Sequence, residues 1–240
     1  MTDGEKLGFV DVGARGGIPD QYAKFADSLM PVLCEPEPSE YKRLVEESQD
    51  GSLFKVIGKP LAHIDGPLTL HEAVNPFCSS ILPPNTRYLS QYDIAKHFVL
   101  RAAEPMVCAR YDTLYGLLDL PPPSIVKIDV QGFEHQVLQG FGGLLESCYA
   151  IQLETHFYQL YEGQKLLHDI IDLVGNYGLV LRRIFNGRSP SLNGDRHFDG
   201  DLVEVDAIFT KSRLWTQAQT PEVRARVNRA CEIVGVQANR

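Results

Sequence analysis

Apolar and polar positions follow two different periods along this chain. Short continuous apolar runs, which are typical of buried strands, recur from the first residues to the last third of the sequence. They predict strands at residues 7–12, 31–35, 54–57, 61–64, 68–71, 124–130, 149–156, 179–184 and 202–209. Between them, apolar residues spaced three and four apart predict amphipathic helices. These helices are expected at residues 19–29, 39–48, 91–100, 111–118, 133–138, 163–174 and 220–238.

Strands that alternate with helices indicate an α/β fold, in which helices cover both faces of a mostly parallel sheet. The 240 residues, 44% of them hydrophobic, suit a single domain over residues 1–240. A local exception is expected near Asp65-Gly66, which predicts a tight turn between two short antiparallel strands. Because parallel sheets bind ligands beyond the carboxyl ends of their strands, we expect functional residues there.

The last predicted helix has a clear start and one apolar stripe. Thr220-Pro221-Glu222 is typical of a helix N-terminus. Val223, Val227, Cys231 and Val234 then follow at helical spacing. This stripe predicts packing on the domain or, as the alternative, pairing with a second subunit in a homodimer.

Composition narrows the classes of function. A net charge of −8 with a pI near 5.4 argues against nucleic acid as the main ligand. The five cysteines are scattered and include no C-x-x-C pair, which predicts reduced thiols and no zinc site. The start of the chain lacks the pattern of a signal peptide, and no apolar run approaches the roughly 20 residues of a membrane span. We therefore expect a cytoplasmic protein without a membrane span.

The first predicted strand ends in Asp11-Val12-Gly13-Ala14-Arg15-Gly16-Gly17, a glycine turn where α/β proteins bind nucleotide cofactors. A dinucleotide-binding turn has glycine in place of Asp11. A carboxylate there repels pyrophosphate and suits an ammonium group, such as that of S-adenosyl-L-methionine. Glu35 ends the second strand, 24 residues later, where an acid accepts hydrogen bonds from ribose hydroxyls. The alternative is an ordinary turn followed by a solvated acid, and the joint spacing favours the cofactor.

These segments resemble the FkbM family of methyltransferases. The matching segments are residues 9–17, 34–38, 78–82, 126–134, 137–140, 153–157 and 204–209. The resemblance implies a Rossmann-like class I methyltransferase fold, with a seven-stranded sheet whose last strand is antiparallel. It also implies S-adenosyl-L-methionine as the cofactor. The residues that it assigns to cofactor binding are Asp11, Gly13, Ala14, Arg15, Gly16, Glu35 and Pro36.

The chain departs from the family pattern at two places. Gln131 stands where the family usually has Glu, which removes one acidic contact. Residues 60–63 replace a family segment whose Asp contacts the adenine of the cofactor. His63, or backbone groups, are the candidates for that contact in this chain.

Known family members include O-methyltransferases of sugars and natural products, which implies a small-molecule or glycan hydroxyl as the acceptor. A hydroxyl is a poor nucleophile and benefits from a base. Lys127 and Asp129 share one side of their strand, as do Glu154 and His156 on the next. We expect either His156 or Asp129 to take the proton. Glu154 either orients His156 or accepts a hydrogen bond from the acceptor, and Lys127 neutralises a neighbouring carboxylate.

Other interpretations stay open. Asp129, Glu154 and His156 do not by themselves establish a metal site, and none is assigned. A nicotinamide-dependent oxidoreductase is disfavoured by Asp11, whereas Gln131 and residues 60–63 leave room for a non-catalytic S-adenosylmethionine-binding module. Four arginines near the loop after residue 184 are either a clamp for an anionic acceptor or solvated: Arg182, Arg183, Arg188 and Arg196.

Overall fold

The computed structural model describes residues 6–49, 51–192 and 201–239. Its strands are β1 (Leu7–Val12), β2 (Leu29–Cys34), β3 (Lys55–Ile57), β4 (Gly66–Ala73), β5 (Leu100–Cys108), β6 (Ile125–Ile128), β7 (Ala150–His156), β8 (Leu179–Arg188) and β9 (Glu204–Lys211). Its α-helices are α1 (Asp20–Ala23), α2 (Pro38–Glu47), α3 (Thr86–Leu89), α4 (Tyr111–Leu117), α5 (Glu134–Phe141), α6 (Leu167–Gly175), α7 (Arg213–Gln217) and α8 (Pro221–Ile233).

Seven strands form one sheet in the order β3-β2-β1-β6-β7-β9-β8, and β4 pairs with β5 in a separate two-stranded sheet. In the large sheet, β9 is antiparallel to both of its neighbours, while the other pairings are parallel. This arrangement confirms the predicted seven-stranded, mostly parallel sheet with its last strand antiparallel.

Helices cover both faces of the sheet, so its central strands are buried along their whole length. All positions of β1 and β7 are buried; the sequence of β1 is mostly apolar, whereas β7 buries several polar residues as well. Val10 and Val12 belong to the core under α4, α5 and α6. Phe9 precedes Val10, so its side chain lies on the opposite face of the sheet. It packs there with Tyr22 of α1 and with residues of α8. Asp11 therefore projects toward the face covered by α1 and α8.

The C-terminal helix packs on the domain, which was the first of the two alternatives. Val227 and Cys231 are buried, and Ala230 and Ile233 join the core of the α1 face. The apolar stripe is thus used within the chain. Among the described residues, no helix combines the length and the apolar character needed to cross a membrane.

The predicted hairpin at Asp65-Gly66 was wrong. Residues 61–64 form no strand, and Leu61 makes only an isolated bridge to Ala109. The carboxylate of Asp65 accepts hydrogen bonds from the backbone of Arg110 and from the Thr113 hydroxyl. These bonds hold the segment against the start of α4, and β4 instead pairs with the distant β5.

Two predicted helices are mostly replaced by 3₁₀ turns and strand. The segment 19–29 contains only α1 and a 3₁₀ turn at Ala26–Ser28, because Leu29 and Met30 already pair with β1. The segment 91–100 contains a 3₁₀ turn at Asp93–Phe98 and then enters β5. In both cases, tertiary strand pairing overrides a local helical pattern.

Candidate active site

A row of polar side chains crosses three neighbouring strands. Asp11 of β1 lies opposite Lys127 of β6, which lies opposite Gln152 of β7. Lys127 Nζ donates to Asp11 Oδ1 at 2.9 Å. The Tyr22 hydroxyl donates to Gln152 Oε1 at 2.5 Å, so α1 closes this face of the row. Lys127 neutralises a strand carboxylate, as the sequence predicts.

Asp11 is an acid whose charge is only partly compensated. Its side chain is 1% exposed, and burial raises its pKa to about 6 despite the attraction of Lys127. Its Oδ2 atom is buried and has no hydrogen-bond partner in the described part of the chain. Lys127 occupies one oxygen of Asp11, because strand register places it directly opposite. The hydrogen-bonding capacity of the second oxygen is used by no described residue.

The glycine turn after β1 has a structural reason as well as a functional one. Gly13 has φ of +83°, and a Cβ there would lie 2.0 Å from the carbonyl oxygen of Asp129. Glycine is therefore required by the contact between the ends of β1 and β6. Gly16 also has positive φ, but no atom lies within 4 Å of a Cβ built on it. Its N–H donates to Glu40 Oε1 at 2.6 Å, which ties the turn to α2.

Ala14 and Arg15, which were also predicted to bind the cofactor, differ in exposure and in side-chain chemistry. Ala14 is buried against Leu33 and Leu44, and its N–H bonds to the carbonyl oxygen of Cys34. It has a packing role and presents no polar side chain to a ligand. Arg15 is exposed, with its guanidinium carbon 5.8 Å from the centre of the Phe77 ring.

Glu35, Pro36 and His63 follow the ends of β2 and β3. Glu35 is buried, its Oε1 accepts from the backbone N–H of Glu37 at 2.9 Å, and burial raises its pKa. Its charge also raises the pKa of Asp11, so the two acids lie within electrostatic range. Pro36 and His63 are half-buried. His63 Nδ1 is buried without a partner in the described residues, and its ring lies 6.0 Å from that of Phe133.

Asp129 and Glu154 border a cavity of about 430 Å³, together with Gln131, Arg188 and Glu204. Much of the remaining lining is apolar, and several of these residues come from the segment between β4 and β5. Its apolar residues are Phe77, Ile94, Phe98, Leu160 and Val203. The cavity therefore has an acidic floor formed by strand ends and an apolar cover.

Gln131 bridges the two carboxylates that the sequence assigned to the chemistry. Its Nε2 donates to Asp129 Oδ1 at 3.0 Å and to Glu154 Oε2 at 2.9 Å. Its φ is +56°, a conformation uncommon for a residue other than glycine. Glutamate, the usual family residue, would add a third negative charge here, whereas the amide supplies hydrogen-bond donors to both acids.

His156, the other candidate base, is enclosed by the fold. It is 1% exposed and lies outside the set of residues that line the cavity, and burial lowers its pKa. Glu204 is its acidic neighbour, with Nε2 and Oε2 3.4 Å apart, whereas Glu154 pairs with Arg188 at 2.8 Å. Antiparallel pairing places Glu204 directly opposite His156. The two roles predicted for Glu154, orienting His156 or accepting a hydrogen bond from the acceptor, stay predictions.

A second buried acid braces the loop after β6. Glu134 is 2% exposed, and its Oε1 accepts from the backbone N–H groups of Val130 and Gly132. Burial raises its pKa to about 7. These bonds hold the backbone on both sides of Gln131.

Three of the four arginines that were candidates for an anion clamp lie in the described part of the chain. Arg182 donates to the side chains of Thr210 and Asn239. The Arg183 guanidinium lies over the ring of Phe185 on its own strand. Arg188 alone among the three described arginines lines the cavity. Arg196 lies outside the described residues.

Sequence reasoning missed Glu204 and the cover of the cavity. Glu204 stands between Val203 and Val205, so the sequence indicates that it faces the opposite side of the strand from these two residues. Its contact with His156, however, depends on the pairing of β9 with β7. Phe77, Ile94 and Phe98 lie in a segment without clear periodicity, which carried no signal for a cavity wall.

Distant likenesses to solved methyltransferase structures extend over most of the chain. A magnesium protoporphyrin IX methyltransferase (ChlM) from Synechocystis PCC 6803 with bound SAM has 10% identity and a TM-score of 0.43, covering 88% of this chain and 72% of that one. A TehB-like SAM-dependent methyltransferase from Corynebacterium glutamicum has 12% identity and a TM-score of 0.41, covering 87% and 82%. An rRNA methylase from Streptococcus thermophilus has 10% identity and a TM-score of 0.40, covering 87% and 88%.

A search of curated proteins returned no significant match. The model of the methyltransferase FkbM domain, in contrast, matches residues 11–181, which is more than half of the chain. This match includes the glycine turn, Glu35, the acidic end of β6 and both polar residues at the end of β7. The chain therefore belongs to the FkbM methyltransferase domain family and has a Rossmann-like class I methyltransferase fold.

Proposed function

We propose that this protein is an S-adenosylmethionine-dependent methyltransferase that methylates a hydroxyl group on a small molecule or glycan. The observation that carries the proposal is the buried Oδ2 of Asp11, which has no partner among the described residues, together with a separate cavity lined by Asp129 and Glu154. A site for a cationic donor and a site for a hydroxyl acceptor thus meet at the end of β6. The FkbM family match supports the same reaction class.

The residues at the ends of β1, β2 and β3 fit the donor. A buried carboxylate oxygen without a partner is costly, and an ammonium group would satisfy Asp11 Oδ2. Glu35 would accept from ribose hydroxyls beside Pro36, and His63 Nδ1 is an unused polar atom for the adenine. Gly16 leaves space along the turn. When bound, the cofactor supplies an electrophilic methyl group on a sulfonium.

The chain's own contribution is to align the acceptor and to remove its proton. Asp129 is exposed to the cavity and is held by the Gln131 amide, so it is our candidate base. Glu154, on the other side of Gln131, would accept a second hydrogen bond from the acceptor. The apolar residues of the cavity would help to align the acceptor, and alignment supplies much of the acceleration of a methyl transfer.

The charge of the cavity favours an uncharged acceptor over an anionic one. Among the described residues, Asp129, Glu154 and Glu204 line it together with one guanidinium, that of Arg188. Carboxylates accept hydrogen bonds from hydroxyls and repel phosphates. The apolar wall suits the carbon-bound face of a sugar ring or an alicyclic group.

We also propose that residues 1–240 form one methyltransferase domain. β9 and α8 follow the matched residues, yet β9 lies inside the sheet and α8 packs on it. The five cysteines are free in the structure, which suits the reducing cytoplasm that we propose as its location.

Calorimetry and a product screen test this function together. We expect the protein to bind S-adenosylmethionine, and to transfer labelled methyl groups to neutral sugars or polyols when screened beside their phosphorylated and carboxylated counterparts. Failure to bind the donor, or tighter binding of NADH than of the donor, would overturn the proposal. Donor binding without transfer in any acceptor class would instead indicate a non-catalytic binding module.

A further inference from the structure

Three side chains at the end of β7 and the start of β9 converge beside the cavity. We call Glu154, His156 and Glu204 the Glu–His–Glu cluster. Each offers one ligand atom, and these atoms lie within 4.8 Å of one another. Metal bonds of about 2.0–2.2 Å place neighbouring donors about 3–4 Å apart. The 3.4 Å between His156 Nε2 and Glu204 Oε2 already falls in that range.

The imidazole of His156 is the most deeply buried member of the cluster. Its side chain is 1% exposed, so its place beside the two carboxylates is fixed by the fold. Its Nε2 is directed at Glu204, which is the position from which an imidazole coordinates a metal together with a carboxylate.

Arg188 shows that the two carboxylates are arranged around a cation. Its NH1 atom lies 2.8 Å from Glu154 Oε1 and also contacts Glu204. The Arg188 side chain is 61% exposed and stands at the last residue of β8, so it can leave without disturbing the core. An ion pair with such an exposed partner is weak. Arg188 therefore competes for the carboxylates.

We propose that the Glu–His–Glu cluster binds one divalent transition-metal cation, such as Mn²⁺ or Zn²⁺, in place of the Arg188 guanidinium. Two carboxylates and one imidazole suit these cations better than Mg²⁺ or Ca²⁺, which prefer oxygen ligands throughout. The two carboxylates neutralise the cation, and three protein ligands leave coordination positions for water or an acceptor.

The location gives the cation a use in the proposed reaction. Glu154 and Glu204 line the acceptor cavity, next to Asp129. A cation there polarises a bound hydroxyl and lowers its pKa, which makes proton removal by Asp129 easier. This role rests on the proposed function, whereas binding of the cation does not.

The test is a titration of the metal-depleted full chain with MnCl₂, followed by electron paramagnetic resonance and calorimetry, with neither donor nor acceptor present. We expect one site. Removing groups that only orient metal ligands already weakens binding by about 10- to 100-fold, so removing a ligand in His156→Ala or Glu204→Gln should weaken it by about 100-fold or more. Arg188→Ala should strengthen it, because a competing cation is removed. Arg183→Ala, on the same strand but away from the cluster, should leave it unchanged.

Circular dichroism melts check that each variant folds, and the half-buried Glu204 provides a second variant if the His156 substitution destabilises the core. The inference is overturned if the wild type binds no Mn²⁺ at millimolar concentration, if binding survives in Glu204→Gln, or if Arg188→Ala weakens it. Calorimetry with S-adenosylmethionine separates the two proposals: donor binding without metal binding refutes the cluster alone, and metal binding without donor binding refutes the methyltransferase function alone.

Discussion

Acids at two places on the same sheet differ in what neutralises them. Asp11 of β1 is 1% exposed and bonds to Lys127, whose side chain is 15% exposed. Glu154 and Glu204, nearer the β8 edge of the sheet, share Arg188, whose side chain is 61% exposed. The first pair is enclosed by the sheet and α1, and the second borders a cavity.

This difference distinguishes an acid suited to holding a ligand from acids suited to taking part in a reaction. A carboxylate held by a buried lysine keeps one partner and one orientation, which suits a fixed contact to a cofactor. Carboxylates paired with a solvated arginine lose little when that partner leaves, so they can turn to an acceptor or a metal. The environment of each acid, more than its residue type, therefore indicates its role.

The largest expected effect is at the cavity. Asp129→Asn removes the candidate base and keeps the side-chain shape, so we expect transfer to slow by about 10²- to 10⁴-fold. Affinity for S-adenosylmethionine should stay unchanged, because Asp129 borders the acceptor cavity. Single-turnover rates and donor calorimetry on the same preparation check this. If Asp129→Asn weakened donor binding as much as it slowed transfer, Asp11 and Asp129 would belong to one site.

Removing each cation in turn compares the two regions directly. Lys127→Met leaves the buried Asp11 without its partner and should lower the free energy of unfolding by about 3–5 kcal/mol. Arg188→Met should lower it by no more than about 1 kcal/mol, because its ion pairs are exposed. Urea denaturation measures both. Similar losses in the two variants would abolish the distinction between an enclosed pair and an open one.

Asp11 itself should control donor affinity more than stability. Asp11→Asn keeps the volume and removes the charge, and a hydrogen bond to a charged group contributes about 1.5–3 kcal/mol. We expect donor affinity to fall by about 10- to 100-fold, measured by calorimetry near neutral pH. Glu40→Gln, which alters the anchor of the glycine turn without touching Asp11, serves as the matched control and should have a smaller effect.

The smallest effect is a dependence of donor binding on pH. Burial raises the pKa of Asp11 to about 6, so its carboxylate is charged above that pH and becomes neutral as the pH falls through it. Attraction for an ammonium group is present above this pKa and is lost below it. Affinity should drop by about tenfold one pH unit below the pKa. The Asp11→Asn variant should show a flat profile over this range, and a parallel decline in that variant would assign the titration to another group.

Much of the cofactor end could be predicted because its signals are local. Asp11, the glycines and Glu35 each lie within a few residues of a strand end, and a parallel sheet brings such ends to one edge. The pairing of Lys127 with a carboxylate also followed from its place in a strand. What the glycines do was less predictable: Gly13 accommodates the carbonyl of Asp129, a contact between distant parts of the chain.

The acceptor end depended on tertiary structure. His156 meets Glu204, and Arg188 joins them, only because β9 runs antiparallel between β7 and β8 in one register. The cover of the cavity comes from a segment without periodicity, whose place is set by the pairing of β4 with β5. Hydrophobic periodicity reports which face of an element is buried, so the sequence determined the sheet, its class and the edge proposed to bind the cofactor. Which acid faces which cation depends on strand order and register, and only the folded chain decides those.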